Sequence, residues 1–142
     1  MTRIIHGAAI VLENDQQQVL LGQRPEGKSF AGMFEFPGGK LEPGETPEQA
    51  LVREIEEELA VKVDEASLEP VHFVSHPYPD FHLVMTVFRS TNWQGPVNPQ
   101  ENQSFVWVDY EALPSYVDKV PGANIGLLHY VAALGPKAAA AA

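Results

Sequence analysis

Apolar residues run almost unbroken through residues 3–13, RIIHGAAIVLE, the pattern of a strand buried on both faces. An Asn14-Asp15 turn and a second strand over 18–24, QVLLGQR, follow. Residues 25–32 read as a polar, glycine-containing loop. Glu35-Phe36-Pro37-Gly38-Gly39 is then a short extended piece whose glycines let backbone approach a ligand closely. Next the period changes to that of a helix. Thr46 suits an N-cap, Pro47 the first helical position, and Gln49 closes a capping box. Leu51, Val52, Ile55 and Leu59 form the apolar stripe of this helix. Strands resume over 69–77 and 81–90, joined near Pro79-Asp80, and again over 104–108, with a turn-rich loop at 91–103. Residues 109–113 predict a short helical turn. Residues 124–134 predict a terminal helix with Ile125, Leu128, Val131 and Ala132 on one stripe. Strands, helix, strands and helix in that order predict an α/β arrangement with a mixed sheet between helices. Residues 1–134 read as one domain, and 135–142 as a low-complexity tail, either a helical extension or a disordered end.

Composition narrows the classes. A hydrophobic fraction of 44% with 20% charged residues is that of a soluble globular chain, and 142 residues suffice to bury ~68% of the unfolded surface. No apolar run approaches the ~18 residues of a membrane span. The first residues lack a long apolar region with a cleavage site, so a cytoplasmic address is expected. Zero cysteines exclude disulfides, thiol catalysis and cysteine metal sites. A net charge of −10 argues against binding a nucleic-acid backbone, though not a small nucleotide. A triphosphate could approach such a chain only through divalent cations.

That acidity is concentrated. Between Glu42 and Glu58 stand seven glutamates and one arginine. On a helix, Glu54, Glu57 and Glu58 share an arc of about 100°. Carboxylates so close raise each other's pKa unless a cation sits between them. Hard oxygen ligands on one helix face suit Mg²⁺, with Mn²⁺ possible, and such an ion can hold substrate phosphates. Arg53 flanks the glutamates and is expected to orient one of them by salt bridge rather than touch substrate.

The run from Gly39 to Val61, GKLEPGETPEQALVREIEEELAV, resembles the box of the Nudix family, G-x5-E-x7-R-E-U-x-E-E-x-G-U with U aliphatic. Gly39, Glu45, Arg53, Glu54, Ile55, Glu57, Glu58 and Val61 fall on its positions. Its six charged or glycine positions would match by chance in on the order of 1 in 10⁵ chains, which sets aside a merely solvated acidic helix face. The one departure is Ala60, where the family carries glycine. A left-handed alanine costs ~1 kcal/mol, so a rearranged helix exit is expected. Glu35 to Lys40, Gly44 to Ala50, Tyr78-Pro79-Asp80-x-His82 and Pro121-x-Ala123-Asn124 are similar to the MutT-like branch, the nucleotide-pool sanitising enzymes.

The resemblance implies an α/β/α sandwich and metal-assisted hydrolysis of a nucleoside triphosphate, 8-oxo-dGTP foremost, to monophosphate and pyrophosphate. It implies that Glu54, Glu57, Glu58 and Glu101 hold the metal, helped by backbone oxygens of Gly38 or Gly39. The general base would be Glu54 or Glu101. Arg53 and Lys40 would complete the catalytic set, Lys40 by neutralising phosphate charge. For the substrate it points to Arg24, Ser29, Glu35, Phe36, Pro37, Gly38, Tyr78 and Asn124. Asparagine can read a purine edge with paired donor and acceptor. Asn124 is alternatively a helix cap. Tyr78, Phe81 or Phe34 could stack on the base or belong to the core. Phe81 stands where some members carry a polar or basic residue, which leaves choice among purines open.

His72, His76, His82 and His129 show no metal-ligand spacing, and His6 reads as a packed or edge residue. No serine–histidine–aspartate arrangement points to covalent catalysis. Rival expectations keep the chemistry and change the substrate to CTP, several dNTPs or ADP-ribose. A silent nucleotide-binding scaffold should lose catalytic glutamates, and all are present. A protein partner is not specified.

Overall fold

The computed structural model describes residues 2–137. The alanine run at 138–142, for which a helical or disordered end was expected, lies outside the described residues. Nine strands and two α-helices follow in the order β1 (Ile4–Leu12), β2 (Gln18–Gln23), β3 (Phe34–Glu35), β4 (Gly38–Lys40), α1 (Pro47–Leu59), β5 (Lys62–Val63), β6 (Glu69–Pro77), β7 (His82–Ser90), β8 (Trp93–Gln94), β9 (Ser104–Asp109) and α2 (Gly122–Leu134). Short 3₁₀ segments precede β6 and follow β9.

The main sheet is mixed, in the order β4-β1-β7-β6. Its centre is a parallel pairing of β1 with β7, running in register from Ile4 opposite His82 to Leu12 opposite Ser90. A second, antiparallel sheet has the order β3-β2-β9, and β5 pairs with β8. Successive strand residues point to opposite faces, so one strand can supply two cores. Ala8, Ile10, Leu12 and Leu20 pack with Leu51, Ile55 and Leu59 of α1. Ala9, Val11, Val19 and Leu21 pack with Leu127, Leu128 and Val131 of α2. Helices therefore cover both faces, the expected sandwich. Burying Leu51, Ile55 and Leu59 contributes roughly 1.5–3 kcal/mol each, which ties α1 to the sheet and its polar face outward.

Local chemistry explains the helix ends. Thr46 accepts from the Gln49 amide at 3.1 Å while the Gln49 side chain accepts from the Thr46 amide at 3.0 Å, the expected capping box. The exit is not rearranged. Ala60 itself takes the left-handed conformation, φ 55° and ψ 31°, and its N–H donates to Glu56 O. The fold accepts the strain because Val61 and Val63 then enter the core.

Other boundaries shift. Only the second half of β1 is buried on both faces, Ile4 and His6 being exposed. On α1, Ala50 is buried and Val52 only partly so. Helix α2 starts at Gly122, and its inward stripe is Ala123, Asn124, Leu127, Leu128 and Val131, with Ile125 turned to solvent. The helical turn after β9 extends over Tyr110–Lys119 as 3₁₀, with Pro114 inside it. Proline has no N–H to donate, which disfavours a regular α-helix there.

Candidate active site

The box places its carboxylates around one guanidinium. Arg53 donates from Nε to Glu45 at 2.6 Å and from a terminal nitrogen to the same carboxylate at 2.8 Å. Its other terminal nitrogen donates to Glu54 at 2.8 Å and to Glu57 at 3.4 Å. A contact to the Lys40 carbonyl at 3.3 Å ties the arginine to β4 as well. The Glu45 carboxyl is held down to about 2, foremost by the Arg53 hydrogen bond. The same bond holds the Arg53 proton more firmly than usual. Arg53 is thus committed to orienting glutamates.

Glycine lets the helix approach the strand. A Cβ on Gly39 would lie 2.6 Å from the Glu54 carboxyl carbon, and one on Gly38 would lie 2.0 Å from the Ala8 carbonyl oxygen. Gly38 also has φ +153°, so no other residue fits there. Glu54 accordingly sits directly on the Gly39 backbone.

Glu58 lacks a compensating cation. Burial, then the charge of Glu54 and a hydrogen bond shared with it, then Glu101 and Glu35, push its carboxyl up to about 8. Glu101 is brought in by the preceding loop. The Asn98 amide donates to Leu59 O and the Gln100 amide to Glu58 O, each at 2.8 Å. These bonds satisfy carbonyls that the end of α1 leaves without partners. Glu57 is largely exposed.

Among the described residues, no three acidic or imidazole side chains converge into a ready-made cage for an ion. Oxygen donors in excess of positive charge nevertheless fit a divalent cation. Mg²⁺ commonly uses one or two carboxylates and keeps water and phosphate for its remaining positions.

Beside this ridge lies a cavity of about 360 Å³. Arg24, Ser29, Glu35, Phe36, Gly38, Gly39, Lys40, Tyr78 and Asn124 all line it. Glu35 joins cavity to ridge, since it lines the one and repels Glu58 in the other. Burial raises its own pKa, opposed by Arg24, whose guanidinium lies 3.1 Å away. Arg24 also donates to the Ser29 carbonyl at 2.6 Å, folding the loop at 24–33 back on itself. Asn124 is 8% exposed, and its side-chain amide makes no protein hydrogen bond among the described residues. It is not the helix cap. That position belongs to Pro121, which offers no capping side chain.

Some candidates fall elsewhere. Pro37 is buried off the cavity, its carbonyl accepting from the Ile10 amide. Phe34 packs edge-on against Tyr116 in the core. Glu54, Glu57, Glu58 and Glu101 lie outside the cavity itself. The structure adds two residues that sequence reasoning missed. Phe30 lines the cavity in a left-handed conformation, φ 59°, its ring 5.7 Å from Tyr78. Arg3 lines it at the start of β1. A lone aromatic inside a polar loop was the available signal for Phe30. Arg3 offered none.

A carboxylate ridge on a capped helix, a glycine strand beneath it and an adjoining cavity are the parts that a metal-assisted hydrolase would need. The comparisons carry this further. The NUDIX domain model matches residues 4–128. The chain is 40% identical over 128 residues to the 8-oxo-dGTP diphosphatase of Haemophilus influenzae, covering 89% of this chain and 90% of that one. It is 34% identical over 142 residues to the CTP pyrophosphohydrolase of Escherichia coli, covering 93% and 94%. A structure from work on MutT of Aliivibrio salmonicida and Vibrio cholerae superposes with a TM-score of 0.78 at 32% identity, covering 93% of this chain and 99% of that one. The chain belongs to the Nudix family of hydrolases.

Proposed function

We propose that this chain hydrolyses oxidised purine nucleoside triphosphates, 8-oxo-dGTP above others, to the monophosphate and pyrophosphate. The observation that carries the reading is the Asn124 amide, which has no side-chain hydrogen bond among the described residues and lines a cleft that Glu35 connects to the α1 carboxylates. At about 360 Å³ the cavity is at the small end for ligand sites, suited to a base with its sugar. The Asn124 side chain supplies donor and acceptor for a purine edge, with Tyr78 and Phe81 against its face.

Glu54, Glu58 and the carbonyls of Gly38 or Gly39 would hold Mg²⁺ or Mn²⁺, with Glu57 and Glu101 at the margin. Such an ion, when bound, neutralises phosphate charge and lowers the pKa of bound water. Arg53 fixes Glu54, and Lys40 faces the phosphates. A water oxygen bonds to phosphorus, the bond from that phosphorus to the bridging oxygen breaks, and the water's proton passes to Glu54 or Glu101. Pyrophosphate leaves. With such a substrate the chain would act in the cytoplasm, on the free nucleotide pool.

A CTP pyrophosphohydrolase activity is the second reading. The likeness to a CTP pyrophosphohydrolase over nearly the whole of both chains supports it. Chromatography of the products from 8-oxo-dGTP, dGTP, CTP and ADP-ribose with Mg²⁺, with Glu58→Gln as control, tests both. Preference for 8-oxo-dGTP that vanishes in the control is expected. Preference for CTP would move the second reading forward, and no turnover of any would leave a silent scaffold.

A further inference from the structure

The first turn of α2 lacks a side-chain cap of its own, because Pro121 precedes it. The orphan N–H groups of that turn need acceptors from elsewhere. One comes from the turn between β6 and β7. The Tyr78 hydroxyl accepts a hydrogen bond from the Ala123 amide at 3.2 Å. Tyr78 is itself held, its amide donating to Phe81 O at 2.8 Å and its ring lying 4.8 Å from that of His76. His76 lies close to the start of α2, where a Cβ on Gly122 would lie 3.1 Å from its Nε2. Asn124 is the next residue after Ala123. Its amide N–H bonds Pro121 O, so backbone orientation at Ala123 passes directly to it.

Tyr78 therefore has two separable parts. Its ring lines the cavity, while its hydroxyl fastens the helix turn that carries Asn124. We propose that the Tyr78 hydroxyl is a positioning group that sets the reach of the Asn124 amide into the cavity and thereby selects purine over pyrimidine nucleotides. This inference rests on the nucleotide reading above and concerns selectivity alone. It assigns the hydroxyl no contact with substrate.

Tyr78→Phe removes the acceptor and keeps the ring. Steady-state kinetics on 8-oxo-dGTP and CTP with Mg²⁺, in wild-type and Asn124→Ala backgrounds, test the idea. The loss of one hydrogen bond should raise KM for 8-oxo-dGTP and lower the ratio of kcat/KM for 8-oxo-dGTP over CTP, on the order of fivefold. In the Asn124→Ala background the same substitution should alter nothing further, because coupled residues are non-additive. An unchanged ratio of the two kcat/KM values in Tyr78→Phe would overturn the inference, and so would the full effect surviving in Asn124→Ala. Either result leaves the hydrolase reading standing, since the wild-type enzyme still turns over nucleotide. Wild-type enzyme inert on both nucleotides would overturn the two together.

Discussion

Glu13 and Glu58 are both carboxylates drawn out of water, and their surroundings are opposite. Glu13, at the end of β1, is 5% exposed and accepts from the Tyr110 hydroxyl and, at 3.1 Å, from the Lys137 amide. Arg89 beside it bonds the Gly135 carbonyl and faces Glu69, which Lys137 also reaches. Burial and the bond to Glu13 keep the Tyr110 hydroxyl protonated well beyond the usual phenol range. Every charge in that cluster meets an opposite charge or a donor. Glu58 instead meets Glu54, Glu101 and Glu35, and holds a proton up to about pH 8. A buried charge that is paired fixes structure; one left beside like charges is a place for a cation to act. The first cluster ties the ends of β1 and α2 together, and the second is where the proposed function would have a cation bind.

Exchanging either carboxylate separates the two roles. Glu58→Gln should lower kcat by on the order of 10²–10⁴, while the metal-free protein melts no lower than wild type, since a neutral amide removes the cost of keeping a carboxyl protonated there. A lower melting point would mean that Glu58 supports the fold as Glu13 does. Glu13→Ala should show the reverse, losing about 3 kcal/mol in urea unfolding, because Tyr110 is left without its acceptor, with kcat unchanged. A smaller effect belongs to the helix exit next to the ridge. Ala60→Gly should relieve the left-handed strain and stabilise by ~1 kcal/mol at unchanged kcat, measured by the same unfolding.

What was legible in the sequence was local. Thr46, Pro47 and Gln49 announce the start of α1, and the spacing of Glu54, Glu57 and Glu58 announces their shared face, because both depend on residues within two turns. The parallel pairing of β1 with β7 is not legible, since it joins segments some seventy residues apart with no short-range signal. The approach of Glu101 to Glu58 was implied by the family resemblance alone and carries no short-range mark: backbone amides of Asn98 and Gln100 make the connection, and any residue there would have one. The two-residue strands β3, β5 and β8 are too short to show a period. Ala60 misled by a different route, as a propensity of ~1 kcal/mol was outweighed by the core contacts of Val61 and Val63. The division of Tyr78 and Phe81 from Phe34 turned on which side of a strand faced the cavity, and isolated aromatic residues carry no such mark.

The direct test of the contrast is thermal melting as a function of pH, with and without Mg²⁺. A carboxyl whose pKa is raised in the folded state contributes stability below its ordinary value and loses it as pH rises through the folded one. Metal-free wild-type protein should therefore lose stability between about pH 4.5 and pH 8. Mg²⁺ binding the native state should restore it most strongly near pH 8, and Glu58→Gln should flatten the slope and weaken the Mg²⁺ effect. A melting temperature that stays flat with pH in wild type, or an equal Mg²⁺ shift in Glu58→Gln, would contradict the account.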